Sequence, residues 1–285
     1  MTRQGFLVGL SITLTACDKR SRQHAADALL MQLPLRTAIF ATRLKNDESC
    51  LSRNADTPLP AASLAKLLIA VAAAETISRD PRRAALPIRG SERVRSLAAS
   101  DSIDDRQSYL LADLLYRMVA DSDNRAANIL IESLGIARIN EVAKSLGLRI
   151  TRVHGYFVDA KHHVVPLAYT TAREMFLLLR AIMIATSDTN LYRRDVYRRL
   201  FVALNNQEDR RMIPAGVPSA VIVGNKTGEI DGVLNDAAIL NPLDDDPEFI
   251  VVLVDGAPPL RRQNDYLSTV HRISLLAGNA YELCR

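Results

Sequence analysis

The apolar residues of this 285-residue chain are spaced in two different ways, and the order of the two spacings restricts what it can fold into. Strand-like runs lie towards both ends: residues 36–43 (RTAIFATR) and 49–54, then Ala220 to Gly224, Val233 to Leu240 and Phe249 to Val254. Between them, from about 106 to 205, the periodicity is helical with few strand signals. A sheet completed by both ends of one chain must close around what lies between. The reading is therefore α/β (α+β): an antiparallel sheet flanked by N- and C-terminal helices, with a large all-helical insertion. Turn chemistry agrees, since Lys45-Asn46-Asp47-Glu48 joins the first two strands as a hairpin, and Asn241-Pro242 and Asp244 to Pro247 separate the last ones. Residues 21–33 place Ala25, Leu29, Leu30 and Leu33 at helical spacing, and a second helix closes the chain from about Asn264 to Cys284. Ser63 to Ile77 is apolar nearly all round, which predicts a buried central helix. The resulting division is an α/β subdomain from 18–58 and 216–285, and an all-α subdomain from 59–215.

The first seventeen residues form a separate unit. Arg3 is followed by the apolar run Phe6 to Leu14 and then Leu14-Thr15-Ala16-Cys17, a secretory signal ending in a lipobox, with Cys17 as the lipidated residue. The run is too short to cross a bilayer core of about 30 Å as a helix. An ordinary signal peptide or a buried N-terminal helix is the alternative. Asp18, just after the cysteine, resembles an inner-membrane retention signal, so a periplasmic domain anchored to the inner membrane is expected. Cys50 and Cys284 then remain, an even count that an oxidising compartment would allow to pair; two free, buried thiols fit equally well.

Composition excludes several classes. The 36 Lys and Arg against 32 Asp and Glu are scattered pairs, with no tryptophan to stack on bases, so nucleic acid is not an expected partner. No Cys/His cluster has zinc spacing and no cofactor motif is present, so neither metal nor cofactor is expected. A hydrophobic fraction of 48% is enough for a substantial core, and a monomer is expected.

Three short constellations carry chemistry. Ser63-Leu64-Ala65-Lys66 puts a hydroxyl and an amine three residues apart on one helix face. Ser122-Asp123-Asn124 lies between the helical stretches 107–119 and 125–133, and Lys226-Thr227-Gly228 stands at the end of the strand Val221 to Gly224. Singly each has a bland explanation: an exposed helical pair, a helix cap, a strand end. Together, in this order, they resemble the signatures of the class A β-lactamases and penicillin-binding proteins. The likeness extends to Met118–Ile131 (MVADSDNRAANILI), to Lys226–Pro242 (KTGEIDGVLNDAAILNP) and to Thr170-Thr171-Ala172 before a helix, and spans about residues 24–283.

The resemblance implies a two-part fold with the active site between the parts, and the following roles. Ser63 attacks a carbonyl, with the backbone N–H groups of Ser63 and Glu229 as oxyanion hole. Lys66 accepts or relays the serine proton, Ser122 passes a proton to the leaving group, and Asn124 holds Lys66 and the substrate amide. Lys226 and Thr227 bind a substrate carboxylate, Lys226 also helps keep Lys66 neutral, and Gly228 lets substrate lie close to the strand.

Two positions depart from the family. Laying Ile150–Phe157 (ITRVHGYF) against the loop that carries the family's deacylating glutamate puts Phe157 at that place, and phenylalanine cannot act as a base. Asp159 is the nearest carboxylate candidate, with His154, His162 and His163 close by. Leu234 stands where some relatives carry an arginine before Asn235-Asp236, so carboxylate binding rests on Lys226 and Thr227, with Arg261 or Arg262 as candidate helpers. The expectation is a serine hydrolase acting on β-lactams or a related amide or ester. The alternatives are a cell-wall D-Ala-D-Ala-type peptidase or esterase inhibited by β-lactams, and a catalytically idle binding lipoprotein.

Overall fold

The computed structural model describes residues 19–285 apart from 47, 99, 101, 105 and 159–167. The lipobox with Cys17, and Asp159, His162 and His163, therefore lie outside the described residues.

Helix α1 (19–31) leads into the hairpin β1 (Arg36–Arg43) and β2 (Leu51–Arg53). The short β3 (Leu59–Pro60) and a 3-10 turn (Ala62–Leu64) then feed α2 (Ala65–Arg79). The middle holds β4 (Pro87–Ile88), α3 (Glu92–Arg95), β5 (Tyr109–Leu110), α4 (Leu111–Ala120), α5 (Asn124–Leu134), α6 (Ile136–Ser145), β6 (Tyr169–Thr170), α7 (Ala172–Ala185) and α8 (Leu191–Asn205). After α9 (Ile213–Gly216), strands β7 (Val223–Ile230), β8 (Val233–Leu240) and β9 (Glu248–Asp255) are followed by α10 (Gln263–Leu283).

The five-stranded sheet has the order β2-β1-β9-β8-β7, and every neighbouring pair is antiparallel. Both ends of the chain meet at its centre, where β1 pairs with β9 from Arg36↔Asp255 to Arg43↔Glu248. Both faces are covered, which is why these strands read as nearly continuous apolar runs. On β9, Phe249, Val251 and Leu253 face the helical core, while Ile250, Val252 and Val254 face α1 and α10. The same alternation sends Phe40 one way and Ile39 and Ala41 the other. Cys50 and Cys284 form a disulfide that fastens the end of α10 beside β2, which settles the choice between paired and free thiols.

Helix α2 is the axis of the helical part. From Ala65 to Ala74 every residue is buried, and the small side chains at 70 and 72–74 allow α4 to α8 to approach on all sides. Lys-Thr-Gly corrects the sequence reading: rather than following a strand that ends at Gly224, it lies inside β7, because pairing with β8 runs the full length from Val223↔Leu240 to Ile230↔Val233. Local turn chemistry pointed to an end, and the neighbouring strand overrides it. Among the described residues no helix is long and apolar enough to cross a membrane.

Candidate active site

Three elements converge where the helical part meets the edge of the sheet. The 3-10 turn before α2 carries Ser63, and its preceding residue Ala62 has φ 47°, a left-handed conformation unusual for a residue with a side chain. Ser122 has φ 56° and sits between α4 and α5. Such strain concentrates where the surrounding structure holds a functional side chain in a set direction. Asp123 is the N-cap of α5, its carboxylate accepting from the Ala126 N–H at 2.7 Å. The capping explanation of this motif thus holds for its middle residue, and it fixes the residues on either side. Strand β7 brings Lys226, Thr227 and Gly228 against the 3-10 turn. A Cβ on Gly228 would stand 2.8 Å from the Ala61 carbonyl oxygen and 3.0 Å from Leu64 N, so the close approach requires glycine. Asn235 on β8 adds to this seam, donating to the Pro60 and Ala61 carbonyls at 2.9 and 3.2 Å.

Lys66 is fully buried at the centre. Its Nζ lies 2.5 Å from the Ser122 carbonyl and 2.7 Å from Asn124 Oδ1, with Ser63 Oγ and Ser122 Oγ each at 3.2 Å. Burial and then the charge of Lys226 push its pKa well below the ordinary lysine value, only partly opposed by Asp123. A neutral amine has two N–H bonds and one lone pair. The Ser122 carbonyl and Asn124 can take the two hydrogens, which leaves the lone pair for the Ser63 hydroxyl. Lys226, also fully buried, donates to Ser122 Oγ at 2.9 Å and to the Thr227 carbonyl at 2.8 Å. Burial lowers it to about 7, against the opposing charges of Asp236 and Asp209. Ser122 Oγ thus bridges two lysines of depressed basicity. A cavity of about 480 Å³ opens over Ser122 and Asn124, bounded by Ser100, Asp121 and Glu208.

All three motifs are brought together. Phe157 lies beside the turn that carries Ser63: its ring centroid is 4.8 Å from Lys66 Nζ and it packs on Ala61 and Ala65. Its backbone is clamped by Asn128, which accepts from the Phe157 N–H and donates to its carbonyl, both at 2.7 Å. His154 is exposed. Arg261 and Arg262 are exposed at the start of α10, whereas two other guanidinium groups lie against β7: Arg210, which donates to the Val223 carbonyl at 2.9 Å and to Asn225 Oδ1 at 3.3 Å, and Arg211, bonded to Glu229.

The family model described as "Beta-lactamase enzyme family" matches residues 21–282. The chain belongs to the beta-lactamase enzyme family. Solved structures share the fold of this beta-lactamase-family protein. A beta lactamase from Xanthomonas campestris pv. campestris superposes with a TM-score of 0.77 at 18% identity, covering 93% of this chain and 97% of that one. A class A beta-lactamase from Mycobacterium abscessus gives 0.76 at 21%, covering 91% and 98%. PBP-A gives 0.75 at 22%, covering 92% and 95%.

Sequence reasoning missed Asn128, Arg211, Tyr266 and the pair Asn225 and Asp236. Asn128 had a legible signal, since it follows Asn124 by four residues on the same face of α5. The others did not. Arg211 and Tyr266 meet across 55 residues, and although Asn235-Asp236 stands out in the sequence, the bonds that Asp236 accepts from Asn225 and Ile213 N exist only in the fold.

Proposed function

We propose that this beta-lactamase-family protein is a serine acyl hydrolase that forms a covalent acyl-enzyme on Ser63 with β-lactams or a related amide or ester, and releases it slowly. The observation that carries the reading is the buried Lys66 amine, its two hydrogens accommodated by the Ser122 carbonyl and Asn124 and its lone pair left for Ser63 Oγ. Lys66 takes the Ser63 proton as Oγ attacks the carbonyl carbon. The backbone N–H groups of Ser63 and Glu229 receive the developing oxyanion. Ser122 then gives its proton to the leaving nitrogen or oxygen and is reprotonated from the Lys66 side, while Lys226 and Thr227 orient the leaving half and Asn124 the acyl half.

Slow release follows from Phe157. An acyl-enzyme is cleared by a water activated by a base, and the side chain beside Lys66 is an aromatic ring with no proton acceptor. This favours a penicillin-binding, peptidase-like behaviour over rapid β-lactam turnover. It agrees with the likeness to PBP-A, of which a leucine-to-glutamate variant has been solved as an acyl-enzyme complex with penicillin G; that structure has a TM-score of 0.74 at 22% identity. Asp159, the carboxylate nearest in sequence, is the alternative base. The lipobox at Cys17 supports a periplasmic address on the inner membrane.

The test is intact-protein mass spectrometry of the domain lacking residues 1–17 after incubation with penicillin G, beside Ser63→Ala. An adduct on the parent, absent from the variant and persisting for minutes or longer, is expected. No adduct on the folded parent sinks the reading, and loss of the adduct within seconds would restore efficient turnover.

A further inference from the structure

The strand that carries Lys226 and Thr227 also carries a carboxylate. Side chains along a strand alternate between faces. Lys226 reaches Ser122, and the Cα of Gly228 abuts the 3-10 turn on that same side. Thr227 and Glu229 therefore share the other face, about 7 Å apart along the strand. Glu229 is fixed rather than solvated: the Tyr266 hydroxyl donates to its Oε1 at 2.8 Å and Arg211 Nη2 donates to its Oε2 at 3.1 Å. The same guanidinium is held by Asp209, through Nε at 2.9 Å and Nη2 at 2.8 Å, while its Nη1 donates to the Tyr266 hydroxyl at 3.1 Å. Burial and Glu229 push the Tyr266 phenol up to about 12, so it remains a donor at working pH. One guanidinium thus serves two carboxylates, and the side of β7 next to Thr227 presents an anion whose countercharge is already engaged.

We propose that Glu229 is a specificity-determining residue that turns this site away from acyl donors bearing a carboxylate beside the scissile bond and towards neutral esters or amides, with Arg211 and Tyr266 as the residues that position it. The proposal rests on the acyl-transfer reading. A donor carboxylate arriving at Lys226 and Thr227 meets a fixed like charge two residues along the strand, and it competes with Glu229 for Arg211. A neutral ester or amide meets neither penalty. The effect is local to the leaving half of the substrate and leaves the Ser63 and Lys66 chemistry unchanged.

A matched pair of probes isolates it: penicillin G and its methyl ester, which differ only in that carboxylate. The readout is the ratio of their second-order acylation constants, followed by mass spectrometry of the Ser63 adduct. Any disturbance of the Glu229 N–H in the oxyanion hole acts on both probes and cancels in the ratio. Glu229→Gln, which keeps the shape and an acceptor for Tyr266, is expected to raise the acid-to-ester ratio about tenfold at low salt, with a smaller gain as salt screens the charges. Arg211→Gln, which leaves Glu229 uncompensated, is expected to lower it. Ratios that stay within twofold of the parent in both variants overturn this proposal alone. Absence of an adduct with either probe on the folded parent removes the acyl-transfer reading and this proposal together.

Discussion

At the scale of single residues, the site depends on which side chain stands beside Lys66 Nζ. Phe157 fills that place with its backbone clamped on both sides by Asn128, so a substitution there changes the side chain without freeing the loop. Phe157→Glu puts a carboxylate within reach of Lys66 and of a water approaching the Ser63 ester. The acyl-enzyme should then break down about 100-fold faster, the lower end of what a positioned general base contributes; an unchanged lifetime in a pulse-chase with penicillin G would show that water is limited elsewhere. The two lysines make a second residue-scale prediction. In the proposed mechanism Lys66 must be neutral to take the serine proton, and its depressed pKa should then make acylation rise with pH and level. Lys226, proposed to hold a carboxylate, must be charged to do so, and with its pKa lowered to about 7 it loses that charge as pH climbs past neutrality. Acylation by penicillin G should therefore fall on the alkaline side. In Lys226→Arg, whose guanidinium does not deprotonate in this range, the falling limb should disappear whatever the maximum rate; a limb that persists unchanged would assign it to another group.

At the scale of elements, the start of the loop bearing Phe157 is held by a carboxylate on α7, Glu174. Thr171 caps that helix by accepting from Glu174 N, and the Thr-x-x-Glu spacing reads as a capping box. The Glu174 carboxylate instead reaches across to accept from the backbone N–H groups of Arg149, Ile150 and Thr151 at 2.6, 3.0 and 2.6 Å, and from the Thr151 hydroxyl at 2.6 Å. Burial alone would raise its pKa, and these four donors outweigh burial and hold it down. A carboxyl group depressed in the folded state contributes stability that is present above its unfolded value of about 4.3 and is lost as pH falls through the folded one. Glu174→Ala leaves buried donors unpaired, so it should cost about 2–4 kcal/mol in urea unfolding at neutral pH. That difference should shrink in acid; a loss that is the same at pH 7 and pH 3 would attribute it to packing.

At the scale of the whole molecule, β1 and β9 join the two ends of the chain, and the Cys50–Cys284 disulfide closes the same circuit across 234 residues. The cross-link lies in the core between the sheet, α1 and α10, on the opposite face of the sheet from the helical core around α2. Replacing both cysteines by alanine should lower the unfolding free energy by about 2–5 kcal/mol. The rate of Ser63 acylation at 25 °C should hardly change, because Ser63, Lys66 and Ser122 are brought together on the other face. An acylation rate that falls with the melting temperature would mean that the two faces are coupled more tightly than their separate cores suggest.

The order of strand-like and helical periodicities determined the architecture, because hydrophobic spacing is a local property that each element carries in its own sequence. The bounds of β1 and β8 and the buried character of α2 were legible for that reason, and so were the three motifs, whose members lie within four residues of one another. Tertiary structure decided what depends on residues distant in sequence. It placed Lys-Thr-Gly inside β7, since a neighbouring strand sets where a strand ends. It paired Cys50 with Cys284, joined Arg211 and Tyr266 around Glu229, and set the burial and the charges that lower Lys66 and Lys226. A side chain's identity is written in the sequence, but its solvent, its neighbours and hence its protonation exist only once the chain has closed.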